Sequence, residues 1–217
     1  MNDRERFVAC LTGEPVDRPP YWLFWGPWAT TLARWKREGL SELVMDHRTL
    51  FDSDHLPAGV PVNCGPCPRI SPSHWEEFMG SPYRRIREFA RSFGIPLISV
   101  DTDGDPDRII PCMMRNGVNY LYPMEVAAGC DVGAIRTKYP TLGMMGGIDK
   151  RALAMGPGAI DRELERIRPA IDKGRYIPEL DHLIPDDVSW ENYCYYAEAL
   201  KTLVGKTGQK PRRSDIV

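Results

Sequence analysis

The chain has no apolar run near the ~18 residues that a membrane-spanning helix needs. Its opening residues, MNDRERFVACL, are charged and lack the apolar centre of a secretory signal. Insertion and export are therefore not expected, and the cytoplasm is the default compartment. Charge of one sign is also scarce: 28 Lys and Arg face 30 Asp and Glu, a net −2. That balance offers no general attraction to nucleic acid or to an anionic membrane surface. Histidine is rare, with four in 217 residues, and His47, His55 and His74 stand apart in polar surroundings, where they are expected to be solvated. The six Cys are expected to be reduced thiols in that compartment. Regular periodicity is missing from Phe51 to Pro72, which holds five Pro residues and reads as loop.

What is present is a repeating grammar of short apolar runs that end in acids. The clearest is Pro96–Asp105, PLISVDTDGD, in which Leu97–Val100 runs into Asp101, Asp103 and Asp105. A continuous apolar run closed by a turn signal suits a strand covered on both faces, as in a parallel sheet. Val118–Tyr122 leads to Glu125, Leu142–Met145 to Asp149, and Tyr176–Pro178 to Asp181 and His182. The acids at 103, 125, 149 and 181 lie 22, 24 and 32 residues apart. Helical patterns fill the intervals. Pro106–Asn116 has Asp105 as a possible N-cap and Pro111 inside it. Asp131–Tyr139 follows, then Pro157–Lys173 with Ile160, Leu164, Ile167 and Ile171 at helical spacing, then Ser189–Val204. Further helices are expected over Asn2–Thr12, about Thr30–Glu38 and about Ser73–Ser92, and a first strand over Tyr21–Trp25. The aromatics of that strand are either core or the lining of a pocket for a flat organic ligand. This alternation is the βα rhythm of a parallel sheet with helical crossovers, and a barrel is its natural closure. Only five or six strands are expected, where a complete barrel needs eight.

Cys64-Gly65-Pro66-Cys67 has the spacing of a thioredoxin-type redox pair, whose chemistry depends on a helix N-terminus to lower the first thiol's pKa. Pro68 and Pro72 block a long helix there, and no second Cys or His pair is nearby for a four-ligand zinc site. The motif therefore reads as structural loop, with redox and metal roles as alternatives. Met113-Met114 and Met144-Met145 read as core. Gly205-Lys206-Thr207 follows a helix and lacks the upstream Gly of a phosphate loop, and the tail 205–217 reads as disordered.

Several segments together resemble the uroporphyrinogen decarboxylase superfamily: Arg4–Phe7, Gly13–Pro20, Val62–Pro66, Val100–Asp105, Glu125–Gly129, Gly146–Arg151 and Asp181-His182. The likeness is to its decarboxylase-like branch, which borders the cobamide-dependent methyltransferases, and it covers roughly residues 1–69 and 70–204. It implies an α/β chain built as a (β/α)8 TIM-barrel family fold, one domain over 1–204, with the pocket at the C-terminal ends of the strands. Two departures shape that expectation. Arg69 runs straight into Ile70 where the family has further barrel strands, so the barrel is expected to be incomplete or remodelled. Leu23–Pro27 holds no Arg where the decarboxylases carry a carboxylate-binding Arg motif.

The resemblance implies decarboxylase-type chemistry on a tetrapyrrole or other small carboxylated substrate, with no cofactor. Asp101, Asp103, Asp181 and His182 would be catalytic, and Glu125, Asp149, Lys150 and Arg151 would bind substrate. The acids could instead hold a divalent metal for corrinoid-dependent methyl transfer, in which hard oxygen ligands replace the family's thiolates. In a third reading the chain is an inactive fragment that acts by association, for example as a homodimer. A plainer reading of the same residues makes Asp101 and Asp105 helix caps, pairs Asp149 with Lys150 or Arg151, and leaves His182 satisfying a turn.

Overall fold

The computed structural model describes residues 1–44, 46–55, 62–63 (backbone only) and 70–206. The Cys64–Cys67 motif, Arg69 at the 69–70 junction and the tail from 207 onward lie outside the described residues. Five strands form one sheet: β1 (Val62–Asn63), β2 (Ser99–Asp101), β3 (Tyr120–Tyr122), β4 (Gly143–Ile148) and β5 (Tyr176–Leu180). They lie side by side in chain order and every neighbouring pair is parallel. Each link is thus a crossover, and the order never reverses as it would in a doubly wound sheet. The architecture is α/β.

The helices form where their caps and apolar spacing dictate. Asn2 and Glu5 make a reciprocal capping box at the start of α1 (Asp3–Thr12), which Gly13 ends in a left-handed conformation. α2 spans Ala29–Arg37. α3 (Pro72–Trp75), a π-helical segment (Glu76–Gly80) and α4 (Ser81–Ser92) together occupy the helix expected near 73–92. α5 is Ile110–Arg115. α6 (Val132–Lys138) is capped by Asp131, α7 (Lys150–Ala154) by Asp149, and α9 (Trp190–Leu203) by Ser189. α8 (Pro157–Asp172) buries Ile160, Leu164 and Ile167.

Period two along the strands sorts side chains onto two faces. Val100, Leu121, Met144, Tyr176 and Leu180 join the large core that also holds Ile110, Val132, Ile135, Ile160, Leu164, Tyr193 and Leu200 from the helices. Tyr120, Tyr122, Met145 and Ile177 face the other way, with Cys10 and Leu11 of α1 and the aromatics Phe7, Trp22, Phe24 and Trp25. Each large apolar side chain so buried contributes about 1.5–3 kcal/mol before entropy is charged against it. α1 covers the N-terminal end of this second face. Its Cys10 thiol donates to the Tyr176 carbonyl at 3.5 Å, and Phe7 sets its edge on Trp22 and Tyr120.

Several expectations need correction. Tyr21–Trp25 is no regular strand, because its N–H groups bond to side chains rather than to a ladder. Tyr21 N donates to Asp54 Oδ2 and Leu23 N to Ser53 Oγ. The Tyr21 carbonyl accepts from Asp54 N, and among the described residues a β-bridge appears only at Pro27, which pairs with Ile184 in parallel. The stretch read as loop contains β1, which pairs with β2. α5 starts later than expected: the Pro106 carbonyl accepts from Ile109 and Ile110, and Asp105 makes a tight turn to Asp107 N instead of capping the helix. His47 is not solvated. It is 6% exposed, its Nε2 lies 3.1 Å from Tyr193 Oη, and Trp35 packs against its ring. Among the described residues no helix is long and apolar enough to cross a membrane.

Candidate functional site

The acids that close the strands gather along the C-terminal edge of the sheet. Two glycines make that approach possible. Gly146 and Gly147 have φ of 99° and 79° inside β4, and a Cβ on Gly146 would lie 1.7 Å from the Pro123 carbonyl oxygen. Gly147 N donates to that same oxygen at 3.1 Å, which draws the end of β3 against β4.

Asp181, just past β5, is fully buried. Its Oδ2 accepts from Val126 N at 3.0 Å, and its Oδ1 accepts from Lys150 N at 3.1 Å and from Lys150 Nζ at 3.3 Å. Lys150 Nζ also stands 3.8 Å from Glu125 Oε1, and Glu125 Oε2 accepts from Gly104 N at 3.2 Å. One hydrogen-bonded network thus ties together the segments that follow β2, β3, β4 and β5. Burial pushes the Asp181 carboxyl up, and Lys150 with the two backbone donors pulls against it; burial prevails. Asp149 differs. Burial raises it too, but the Arg151 guanidinium, 2.7 Å away, leaves it below the ordinary carboxylate range. It caps α7 as well. Lys150 and Arg151, expected to bind substrate, are therefore both engaged by carboxylates of the same edge.

Asp101, Asp103 and His182 form a second group. His182 Nε2 lies 3.8 Å from Asp103 Oδ1, and both side chains reach solvent, at 32% and 48% exposure. The His182 ring stacks on Trp25, with centroids 4.9 Å apart and planes 16° from parallel. From Trp25 an aromatic file descends the second face through Phe24 and Tyr122 to Tyr120. Burial raises the Asp101 carboxyl, the neighbouring Asp103 charge raises it further, and His182 opposes both. Two carboxyl groups, one of them raised by burial, and an imidazole thus meet beside an aromatic platform, the parts that general acid–base chemistry on a flat ring uses.

The sequence reading missed Glu179. It shares the Ile177–Asp181 face of β5, is 1% exposed, and its Oε1 accepts a long 3.5 Å bond from Trp25 N. Its Oε2 has no hydrogen-bond partner among the described residues, and neither has Trp25 Nε1. Burial lifts this carboxyl well above its ordinary range, against the pull of the Trp25, Leu180 and Phe24 N–H groups and Arg48. The available signal was parity: a Glu two residues before a strand-end Asp lies on the same face. A cleft of about 280 Å³ opens between Gly26-Pro27, Leu32, Val44 and Asp46–Arg48, and none of the acids expected to be functional lines it.

The metal alternative can be tested on the donor set. Among the described residues no three His, Cys, Asp or Glu side chains are placed to share an ion. Asp181 spends both its oxygens on Lys150 and Val126. Among the described residues this arrangement does not fit a resident metal. No protein-family model and no curated protein matches the chain.

Proposed function

We propose that this chain is a uroporphyrinogen decarboxylase-like protein. In this reading its sheet is part of a barrel derived from the (β/α)8 fold, and its site removes a carboxyl group from a small flat ring without a cofactor. The observation that carries the reading is the Asp103–His182 pair stacked on Trp25 at the C-terminal edge of a parallel sheet. The unreversed strand order, the Pro27–Ile184 pairing beyond β5 and the seating of α1 against the strand starts support barrel ancestry.

In the reaction the bond between the ring carbon and its carboxylate breaks and carbon dioxide leaves. The electron pair stays on the ring carbon, which takes a proton. His182, placed beside Asp103, supplies that proton and regains one from water. Trp25 holds the ring plane, and Asp101 or Asp103 accepts a ring N–H. Because Lys150 and Arg151 are already neutralised, a rim of carboxylates repels a substrate with many negative charges. The reading therefore favours a ring with one or few carboxylates over a heavily carboxylated tetrapyrrole.

Pyrrole-2-carboxylate is the minimal test substrate, with pyrrole formation followed by chromatography. Turnover is expected in the parent, with a fall of about 10²-fold or more in Asp103→Asn and in His182→Gln. No turnover in the parent, or equal turnover in both variants, overturns the reading. A second reading, in which the chain acts only by association, draws on α4 and its flanks, where Phe78, Phe89 and Phe93 are each more than half exposed.

A further inference from the structure

Two adjacent residues of the second face leave polar atoms unused in a region where such atoms are normally paired. Glu179 Oε2 and Trp25 Nε1 are both buried, and neither has a partner among the described residues. They are neighbours, since Trp25 N donates to the other oxygen of Glu179. The Trp25 ring in turn stacks on His182, which faces Asp103. We propose that Glu179 and the Trp25 indole N–H form a subsite that takes one carboxylate of the ligand. The subsite rests on the ring-acid reading above and specifies which groups hold the acid.

The chemistry is consistent with the surroundings. Burial lifts the Glu179 carboxyl well above its ordinary range, which favours the form whose O–H can donate, and the indole N–H can only donate. Two donors on neighbouring residues suit an anionic oxygen, and hydrogen bonds to a charged group are stronger than neutral ones. They also resolve a conflict in the site, because the Lys150 and Arg151 cations are held by Asp181, Glu125 and Asp149 and do not offset the acidic rim. Arg48, which bears on Glu179 electrostatically, is itself clamped bidentately by Asp46.

Formate is the probe, because it carries the carboxylate and no ring. Titration into the full chain at neutral pH is followed by tryptophan fluorescence and by the infrared C=O stretch expected of the Glu179 carboxyl, assigned by its absence in Glu179→Gln. Formate is expected to shift both signals in the parent. Glu179→Gln keeps a donor and should bind within about threefold of the parent, whereas Glu179→Leu and Trp25→Phe should each weaken binding about tenfold or more. Trp25→Phe keeps a ring over His182 and reports on the subsite even if Glu179→Leu does not fold. A parent indifferent to formate, or a Trp25→Phe variant that binds as the parent does, overturns the subsite whatever the enzyme turns over. Formate binding with the expected variant pattern, in a protein that leaves pyrrole-2-carboxylate intact, upholds the subsite and removes the decarboxylase reading.

Discussion

Lys150→Met is the sharpest test of how the strand ends are held. Asp181 has no exposed surface, and Lys150 is its only side-chain cation within 4 Å among the described residues. Breaking a buried ion pair by removing one partner costs about 3–5 kcal/mol when nothing else serves the stranded charge. Here Val126 N and Lys150 N still donate to the carboxylate after the substitution, so about 2–3 kcal/mol is expected at pH 7. For a chain of this size that is a fall of roughly 4–12 °C in melting temperature. The sign with pH follows from the direction of the shift. Asp181 already has a folded pKa above its ordinary 3.8, and losing Lys150 raises it further. The folded variant therefore binds the proton more tightly than its unfolded chain, and its deficit grows as pH rises and the carboxyl is forced to ionise. Below 3.8 the carboxyl is protonated in both states. The deficit should then shrink below about 1 kcal/mol, the worth of a weak contact. Urea unfolding of both proteins at pH 3.5 and pH 7, read by far-ultraviolet circular dichroism, measures this directly. A deficit under 1 kcal/mol at pH 7, or one of equal size at both pH values, would refute the claim that Lys150 holds Asp181 as an ion.

Two further outcomes follow from named residues. Burial depresses His47 to about 4 from 6.5, so it contributes stability that is complete above 6.5 and is lost as pH falls through the folded value. At about 1.4 kcal/mol per pH unit the loss is bounded at roughly 3 kcal/mol. His47→Phe should flatten the stability profile between pH 6.5 and 4, and an unchanged slope would show that His47 titrates normally. If the chain associates through the exposed Phe78, Phe89 and Phe93, sedimentation equilibrium should give a dimer that Phe89→Ser with Phe93→Ser dissociates; a monomer at all concentrations in the parent removes the association reading.

The local elements were legible where a short-range rule governs them. Asn2, Asp131 and Ser189 cap the helices that their position before an apolar period announces. Strand-end acids at helical-crossover intervals led to the parallel sheet. What escaped depends on contacts between distant residues. Tyr21–Trp25 has the composition of a strand, but Asp54 and Ser53, some thirty residues away, take its N–H groups. Pro178 was read as the end of a strand that runs on to Leu180, since a proline withholds only its own N–H and leaves the carbonyls on both sides to pair. Stopping there hid Glu179. His47 shows no sign of burial in its own neighbourhood, because Trp35 and Tyr193, which cover it, lie 12 and 146 residues away.

The acids that looked equivalent in sequence divide by what holds them, and the division bears on chemistry. Asp149 and Asp181 are bound to cations or backbone donors, so altering them should cost stability before it costs turnover. Asp103 is half exposed, beside Asp101, and stands 3.8 Å from the His182 imidazole. Glu179 is buried as well, with an oxygen uncommitted among the described residues. A substrate that touched Asp103 at the rim and Glu179 beside Trp25 would span an exposed carboxyl and one that burial lifts well above its ordinary range, the first placed to accept from a ring N–H and the second to donate to a carboxylate. Environment alone, acting on identical functional groups, would then assign their roles.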